Sequence, residues 1–456
     1  MSAASIDGIL LFVVVVVLLH TPPALLGQKL ANDKADLDTL KFVHALWRHG
    51  DRTPSKMIPS DQTNTLDKWK AKFGGLGQLT DDGARQHFNL GRLLRHRYDD
   101  FFSCTFTPEQ FVYRSSDYNR TKMSAIANLQ GLFSPDSQKG PKMPLEENAP
   151  KGLELCFLPQ GHDPIVFDDV ECPAASKAED ELFSSDGFKK EEKKNAKLLT
   201  FLGQKSQYGQ VPHPLRRIYY VHDPLNSINA HKKDGFVLPD WVNETMRQEI
   251  MRLYNLKNSF NYKVDVIKRL WSGPLFTEIL DRMDSIVSGN YKGKEKLHAY
   301  SGHDGSIAGL LAILDIYPEV FPTYANALLL ELHQPQTRKG AYSRGSRGSA
   351  SSDNSEPFVR LYHKNTTEGV TLFELQIPNC GPPCTLKKLR ETRKAFIIEV
   401  PQWKEECEGS KKKDKQTAWS SCGSLFSSVK SLGCADGCYV KSESCFMFLG
   451  RRYLCC

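Results

Sequence analysis

The chain has 456 residues, of which 40% are hydrophobic and 25% are charged, a composition typical of globular proteins and sufficient for two domains. The formal net charge is +7, but residues 408–456 contain eight Lys and Arg against four Asp and Glu, so +4 lies there and +3 in the rest. A net charge of only +3 over residues 1–407, the body of the chain, argues against a nucleic-acid-binding protein.

The N-terminal segment has the pattern of a targeting signal. Residues 9–19 are eleven consecutive apolar residues, followed by two prolines and by small or polar residues near Gly27. This pattern predicts a secretory signal peptide over residues 1–27. The run is short for a membrane span, although Asp7 and the lack of Lys or Arg before the run leave an uncleaved anchor open. No other stretch approaches about 18 apolar residues, so we expect no stable membrane span after signal removal.

The first predicted strand ends in a basic segment. Residues 42–47 form an apolar run typical of a buried strand, and Arg48-His49-Gly50-Asp51-Arg52 follows directly. Arginine presents a planar, permanently charged fork that matches phosphate oxygens. A neutral imidazole can attack phosphorus and hold a transient phosphoryl group. The segment therefore predicts a phosphate-binding loop with His49 as the candidate nucleophile.

The next elements are a helix over residues 81–98 and a strand over residues 110–113 that runs into Arg114. Another helix is predicted to begin after Ser116 or Asp117, since either side chain can cap it. Arg114 is thus expected at the end of the second strand.

The middle of the chain differs in character. From residue 161 to residue 285 the sequence is polar, with helical patterns and few strand signals, which predicts a largely helical second domain. Strand character resumes at residues 296–300 and leads into His303-Asp304, with a helix predicted after this pair. Residues 340–356, rich in Gly, Ser and Arg, predict a flexible loop, and residues 408–456 form a cysteine-rich tail that we interpret as an extension.

Three polar clusters, at residues 48–52, at Arg114 and at residues 303–304, each follow a predicted strand. In open α/β sheets, ligands bind at the carboxyl ends of strands, where helix N-termini also favour anions. Three arginines and two histidines meeting there would form a pocket for a phosphate dianion. We therefore expect the fold to bring the three clusters together.

Other histidines are interpreted as structural. His162-Asp163 and His222-Asp223 each precede a proline and end no clear strand. Because Asp-Pro favours turns, both pairs are predicted to be loop residues. His87 lies on the helix predicted over residues 81–98 and is interpreted as a structural residue.

These segments resemble those of the histidine acid phosphatases, in the branch that includes the lysosomal and prostatic enzymes. The resemblance covers roughly residues 38–407. It is carried by residues 42–54, Gly75-Leu-Gly-Gln-Leu-Thr80 with Gly83, Val112-Tyr-Arg-Ser-Ser-Asp117, Arg120-Thr-Lys-Met-Ser-Ala125, Tyr300-Ser-Gly-His-Asp304 and residues 403–407.

The resemblance implies an α/β fold like that of the phosphoglycerate mutases, with a mixed β-sheet flanked by helices and a mostly helical inserted cap domain. The catalytic domain would then be discontinuous. Residues 38–160 and 286–407 would form it, and residues 161–285 would form the cap.

The resemblance also implies roles by position. His49 would be the nucleophile and Asp304 the proton donor to the leaving alcohol. The phosphate of a phosphomonoester substrate would be bound by Arg48, Arg52, Arg114 and His303. Phosphoryl transfer needs in-line attack, dispersed positive charge and an acid for the departing oxygen, and these residue types supply all three. The implied reaction passes through a phosphohistidine, without a metal or another cofactor, and acidic pH keeps an aspartic acid protonated.

The cysteines and sequons agree with secretion. Twelve cysteines favour an oxidising compartment, so we expect a secreted protein or one in the lysosomal lumen. Three N-x-Thr sequons, candidate glycosylation sites, lie at Asn119, Asn243 and Asn365. The one at Asn119 adjoins the predicted site, where a glycan could crowd the pocket mouth.

Two disulfides are expected in the body of the chain. Cys380 and Cys384 flank Gly-Pro-Pro, which predicts a tight turn closed by a disulfide rather than a metal site. The resemblance implies a second pairing, between Cys172 and Cys407. It also places the partners of a third family disulfide at Ser227 and Ala327, where cysteine is absent. Cys104 and Cys156 can pair with each other or with the tail.

The substrate is left open by the sequence. A phytase or inositol polyphosphate phosphatase is the nearest enzymatic alternative. A secreted binding protein that has lost turnover is a second alternative, but it predicts degraded catalytic positions, and here all six match. In a third, the tail is a separate binding module appended to the enzyme. The resemblance also allows a homodimer.

Overall fold

The computed structural model describes residues 28–409 except 32–33, 135–139, 142, 144, 146–149, 167–169, 209–212 and 336–355. The predicted signal peptide, nearly all of the Gly- and Ser-rich loop and the cysteine-rich tail beyond residue 409 therefore lie outside the described residues.

A nine-stranded mixed sheet forms the centre of the molecule. Its strands are β1 (Gln28–Leu30), β2 (Leu40–Arg48), β3 (Phe111–Ser115), β4 (Leu155–Cys156), β5 (Leu297–Gly302), β6 (Ala327–His333), β7 (Phe358–Lys364), β8 (Phe373–Leu375) and β9 (Cys384–Thr385). The spatial order is β1-β8-β7-β6-β2-β5-β3-β4, and β9 pairs with β7. Strands β2, β5, β3 and β4 are parallel, whereas all other pairs are antiparallel. The prediction of a mixed sheet is confirmed.

Twelve α-helices surround this sheet in the described part of the chain. They are α1 (Leu66–Phe73), α2 (Asp81–Arg97), α3 (Asn119–Phe133), α4 (Pro173–Ser184), α5 (Asp186–Lys194), α6 (Ala196–Ser206), α7 (Tyr219–Ala230), α8 (Glu244–Asn261), α9 (Asp265–Val287), α10 (Asp304–Ile313), α11 (Leu386–Thr392) and α12 (Val400–Glu408). Within residues 161–285, the described segments form helices and no strand, as predicted. None of the helices within the described ranges combines the length and apolar character needed to cross a bilayer.

The two faces of the sheet bury separate apolar layers. Leu90 and Leu94 of α2 and Leu129 of α3 belong to the cluster on one face. Phe276 of α9 and Leu310 of α10 belong to the cluster on the other face. Strand β2 lies between the two layers, which explains why its sequence is a nearly continuous apolar run rather than an alternating pattern.

Helices α4 to α8 have a core of their own. It includes Phe183, Phe188, Leu202 and Leu253, all buried. Helix α9 connects this core to the sheet, because its second half packs on the same face of the sheet as α10. The boundaries predicted for the inserted domain remain a prediction.

Both disulfides expected in the body of the chain are present. The bond between Cys172 and Cys407 joins the N-terminus of α4 to the end of α12. The bond between Cys380 and Cys384 closes a turn just before α11. Cys104 and Cys156 are not bonded to each other.

Candidate active site

The segment after β2 passes very close to the N-terminus of α2. A Cβ on Gly50 would lie 2.3 Å from the carbonyl oxygen of Gly83, and a Cβ on Gly83 would lie 2.2 Å from the carbonyl oxygen of Asp51. Only glycine fits at both positions. The backbone N–H of His49 also donates to the carbonyl of Gly302 at the end of β5, at 3.0 Å. The loop is therefore fixed from two sides.

His49 is buried, with 2% of its surface exposed. Its Nδ1 lies 2.8 Å from the carbonyl oxygen of Gly50, which can only accept a hydrogen bond. Nδ1 therefore carries the proton, and Nε2 has a free lone pair. Burial lowers the pKa of this imidazole well below 6.5, and neighbouring positive charges lower it further: Arg120, Arg48, Arg52 and His303. His49 is thus neutral, with its lone pair on Nε2.

Arg48 links the loop after β2 to the start of α10. Its guanidinium lies 3.0 Å from Oδ2 of Asp304 and donates to the carbonyl of Pro322 at 2.6 Å. It also stacks on the ring of Tyr324, 4.3 Å from the ring centroid. These contacts hold one planar donor group beside both His49 and Asp304.

The predicted pair His303-Asp304 lies beside His49, as expected. The parallel register places Arg48 opposite Gly302, so the segments after β2 and β5 leave the sheet together. The rings of His49 and His303 are 5.5 Å apart. Nε2 of His303 lies 2.7 Å from the hydroxyl of Ser116.

Asp304 is the first residue of α10, where the helix dipole favours a carboxylate. Its Oδ1 accepts the N–H of Gly305 at 2.9 Å. About a quarter of the side chain, 24%, is exposed, so the carboxyl can be reached from the solvent side.

Arg114 lies near the end of β3, close to its predicted position, but two carboxylates pair with its side chain. It is the fourth residue of β3 rather than the residue after it, and it pairs in register with Tyr300 of β5. Its guanidinium lies 2.8 Å from Asp163 and 3.3 Å from Glu278. Residues that pair in register on neighbouring strands have their side chains on the same face of the sheet, so Arg114 lies on the same face as Tyr300. The hydroxyl of Tyr300 donates to Glu278. Two carboxylates therefore pair with the guanidinium of Arg114.

Arg120 is a further arginine near His49 and was not among the residues predicted from the strand ends. It is the second residue of α3, and its charge is the largest electrostatic influence on the pKa of His49, after burial. The guanidinium stacks 4.1 Å from the centroid of the Tyr118 ring. Arg120 belongs to a segment that carries the family resemblance, and this was the signal for it in the sequence. It lies in the first turn of a helix, so the pattern of strand ends does not predict it.

The cap supplies support for Arg52, and here the loop prediction was wrong. His222 and Asp223 lie inside α7. Asp223 is 5% exposed at its side chain and lies 2.8 Å from the guanidinium of Arg52. It also accepts the backbone N–H of Ser55 at 2.8 Å. Ser227, one of the two positions without the family's third disulfide, donates to the carbonyl of Arg52 at 2.8 Å.

The other dismissed histidines have structural contacts. His162-Asp163 lies in a loop, as predicted, although Asp163 is buried against Arg114. His87 is fully buried on α2, and its Nε2 lies 3.0 Å from the carbonyl of Arg48. Burial lowers the pKa of His87 to about 3, so it is a neutral support for the loop after β2.

A neutral buried histidine surrounded by arginines, next to a helix-terminal Asp, is the arrangement expected for phosphoryl transfer. The sequence model described as "Histidine phosphatase superfamily (branch 2)" matches residues 39–364. The chain belongs to this family. Membership makes this histidine phosphatase an enzyme of the phosphoric monoester hydrolase class.

Relatives of this histidine phosphatase carry acid phosphatase names. "Putative acid phosphatase 5" of Caenorhabditis elegans is 33% identical over 376 residues, covering 82% of this chain and 80% of that protein. "Prostatic acid phosphatase" of Homo sapiens is 33% identical over 387 residues, covering 81% and 88%. The solved phytase from Citrobacter braakii has a TM-score of 0.55 at 14% identity, covering 80% of this chain and 99% of that one, which shows a shared fold.

Proposed function

We propose that this histidine phosphatase hydrolyses phosphate monoesters through a covalent phosphohistidine at Nε2 of His49. The observation that carries the proposal is the state of that ring: buried, neutral, and with its proton held on Nδ1 by the carbonyl of Gly50. A ring in this state needs no base to activate it. Its lone pair therefore stays available below the usual imidazole pKa of about 6.5.

The phosphate group is proposed to bind between three arginines and a histidine. The pKa of His49 is lowered by the positive charges of four neighbours: Arg48, Arg52, Arg120 and His303. A phosphate dianion placed at Nε2 of His49 would meet the same charges, and they would also stabilise the charge on the equatorial oxygens in the transition state. Arg114 was expected in this group. Its pairing with Asp163 and Glu278 supports a positioning role instead.

Asp304 is proposed to protonate the leaving oxygen. It lies beside Arg48 and is partly open to solvent, so it can meet the ester oxygen of a phosphate held by that arginine. In the first step the bond between Nε2 and phosphorus forms, the ester P–O bond breaks, and Asp304 gives its proton to the alcohol. In the second, water attacks phosphorus, Asp304 takes a proton from it, and the P–N bond breaks to release inorganic phosphate.

Two buried tyrosines and Lys257 lie close enough to Asp304 to interact with its charge. Burial, followed by the charge of Asp304, raises the pKa of Tyr254 well above 10. Tyr262 shows the same direction from burial, Tyr317 and Asp304, and its hydroxyl lies 3.3 Å from the carbonyl of Gly305.

The proposed compartment is the lysosomal lumen or the cell exterior. The two disulfides of the body support an oxidising environment.

The direct test of the function is hydrolysis of an aryl phosphate between pH 4 and 7 by the wild type and by His49→Ala. Phosphate release that depends on His49 is expected, and equal rates would refute the proposed nucleophile.

A further inference from the structure

One face of α7 contacts the phosphate-binding loop at three successive points. Asp223, Ser227 and His231 are spaced four residues apart, so they lie on one side of the helix and its C-terminal cap. Asp223 pairs with the guanidinium of Arg52, and Ser227 donates to the carbonyl of the same residue. His231 contacts the carboxylate of Asp51, at 2.9 Å from Nε2 to Oδ2.

His231 is buried between two carboxylates. Only 1% of its surface is exposed, and its Nδ1 lies 3.2 Å from Oδ2 of Asp234. The rings of Trp69, Phe73 and Phe236 surround it, with centroids 6.0, 4.8 and 6.4 Å away. A neutral imidazole donates from one nitrogen, whereas a protonated imidazole donates from both. Each ring nitrogen lies within ion-pair distance of a carboxylate, so the two-sided contact is attractive on both sides in the protonated form.

The charges that face this ring come from several elements. Asp51 belongs to the loop after β2, and the same Oδ2 accepts the hydroxyl of Thr80 at 2.7 Å. Asp234 follows α7 and pairs with Lys72 of α1 at 3.1 Å. The neighbouring Lys233 is directed to Asp82 of α2. Burial works against the charge on His231, but Asp51 and Asp234 offset it, so its pKa lies above 6.5.

We infer that His231 is a positioning residue that holds Asp51, and through it Arg52, in the phosphate-binding arrangement while the imidazole is protonated. Loss of the proton removes the positive charge that lies between Asp51 and Asp234, so the contact with the loop weakens. The support is complete at acidic pH and is lost as the pH rises through the folded pKa of His231. The inference rests on the proposed function, because it concerns the loop that would bind the phosphate.

Two variants outside the loop separate this role from simple structural support. Asp234→Asn removes a negative charge next to His231 and should lower its titration midpoint. Lys72→Gln removes a positive charge from the same chain of contacts and should raise the midpoint. The full-length enzyme is titrated from pH 4.5 to 8.5, following the His231 ring by NMR, with the signal assigned by its absence in His231→Gln. At each pH, the dissociation constant of inorganic phosphate is also measured, by titration calorimetry.

We expect the pH at which phosphate affinity declines to move down in Asp234→Asn and up in Lys72→Gln, in step with the His231 midpoint. His231→Gln should weaken phosphate binding about tenfold at pH 5, the loss typical of one charged contact, and the difference from wild type should shrink as the pH rises through the His231 midpoint. A midpoint that moves while phosphate affinity does not follow would overturn the inference, as would two variants that shift it in the same direction. Phosphate binding and NMR need no turnover, so failure of the His49 mechanism would be seen separately in phosphate release.

Discussion

The carbonyl oxygen of Gly50 lies 2.8 Å from Nδ1 of His49, and this contact determines which ring nitrogen can react. A backbone carbonyl cannot give up its role as acceptor, so the proton stays on Nδ1 and the lone pair on Nε2. Substrate does not have to bind before the nucleophile is prepared. The enzyme needs acid for another step, the departure of the leaving group.

Asp304→Asn should therefore slow substrates according to their leaving groups. With an alkyl phosphate, such as glycerol phosphate, we expect the rate to fall by about 10² to 10⁴, because the alkoxide must be protonated as it departs. A nitrophenyl phosphate should lose far less, since its leaving group is stable without a proton. Asp315→Asn, just beyond the other end of α10, is the matched control and should leave both rates unchanged. Equal losses for the two substrates would remove the acid role from Asp304.

Arg120 and Arg114 should respond differently to substitution by lysine. Arg120→Lys loses the planar fork beside His49, so we expect the inhibition constant of inorganic phosphate to rise by about 10-fold or more. Arg114→Lys keeps a charge between Asp163 and Glu278 and should leave that constant within about twofold. The inhibition constants of both variants are compared with wild type at one pH.

Substitution of the same two arginines by alanine separates a loss of stability from a loss of phosphate affinity. Arg114→Ala leaves the buried Asp163 without its cation, whereas Glu278 keeps Arg282, so we expect about 3–5 kcal/mol lower stability, measured by urea unfolding. Arg120→Ala should lose phosphate affinity with a much smaller change in unfolding. If Arg114→Lys weakened phosphate binding as strongly as Arg120→Lys, the original prediction for Arg114 would be restored.

The sequence predicted the strands and the meeting of His49 with His303 because both depend on simple patterns. Apolar runs become buried strands, and neighbouring parallel strands end at the same edge of a sheet. The contacts of Arg114 could not be predicted this way, because the end of a strand gives the position of a residue but not the face of the sheet on which its side chain lies. Asp223 was missed for a tertiary reason. Its Asp-Pro signal favours a turn, whereas contacts with Arg52 and Ser55 accompany a helix there.

Stability should fall in acid through a buried carboxylate away from the site. Glu331 lies 2.7 Å from Arg97 and from the hydroxyl of Tyr98, and 3.1 Å from His333. Burial alone would raise its pKa, but these partners bring the pKa below its usual value. Its stabilising contribution is therefore present above the unfolded pKa, about 4.3, and is lost as the pH falls through the folded value.

Glu331→Gln provides the measurement. We expect it to lower the free energy of unfolding at pH 6, because Arg97 becomes an uncompensated buried cation. Between pH 6 and 3 the difference between wild type and variant should shrink, as measured by urea unfolding at each pH. A constant difference over that range would show that Glu331 does not titrate as described.

Two of the three sequons, at Asn243 and Asn119, should differ in whether they carry a glycan. Asn243 is exposed at the start of α8, and its side-chain oxygen caps the helix, which leaves the amide nitrogen open to a glycan. Asn119 adjoins Arg120, and the Thr121 hydroxyl of its sequon is buried in hydrogen bonds to the carbonyls of Ser116 and Tyr118. Glycopeptide mass spectrometry of the secreted protein should find a glycan at Asn243 and none at Asn119. A fully occupied Asn119 in active enzyme would contradict this placement.

The central claim is tested most directly by trapping the intermediate. The full-length enzyme is mixed with a ³²P-labelled monoester, quenched in alkali within milliseconds and digested, since a phosphohistidine survives base but not acid. The account predicts label on the peptide that contains His49, at Nε2, and none in His49→Ala. Turnover without labelled protein, or label on a different residue, would contradict it.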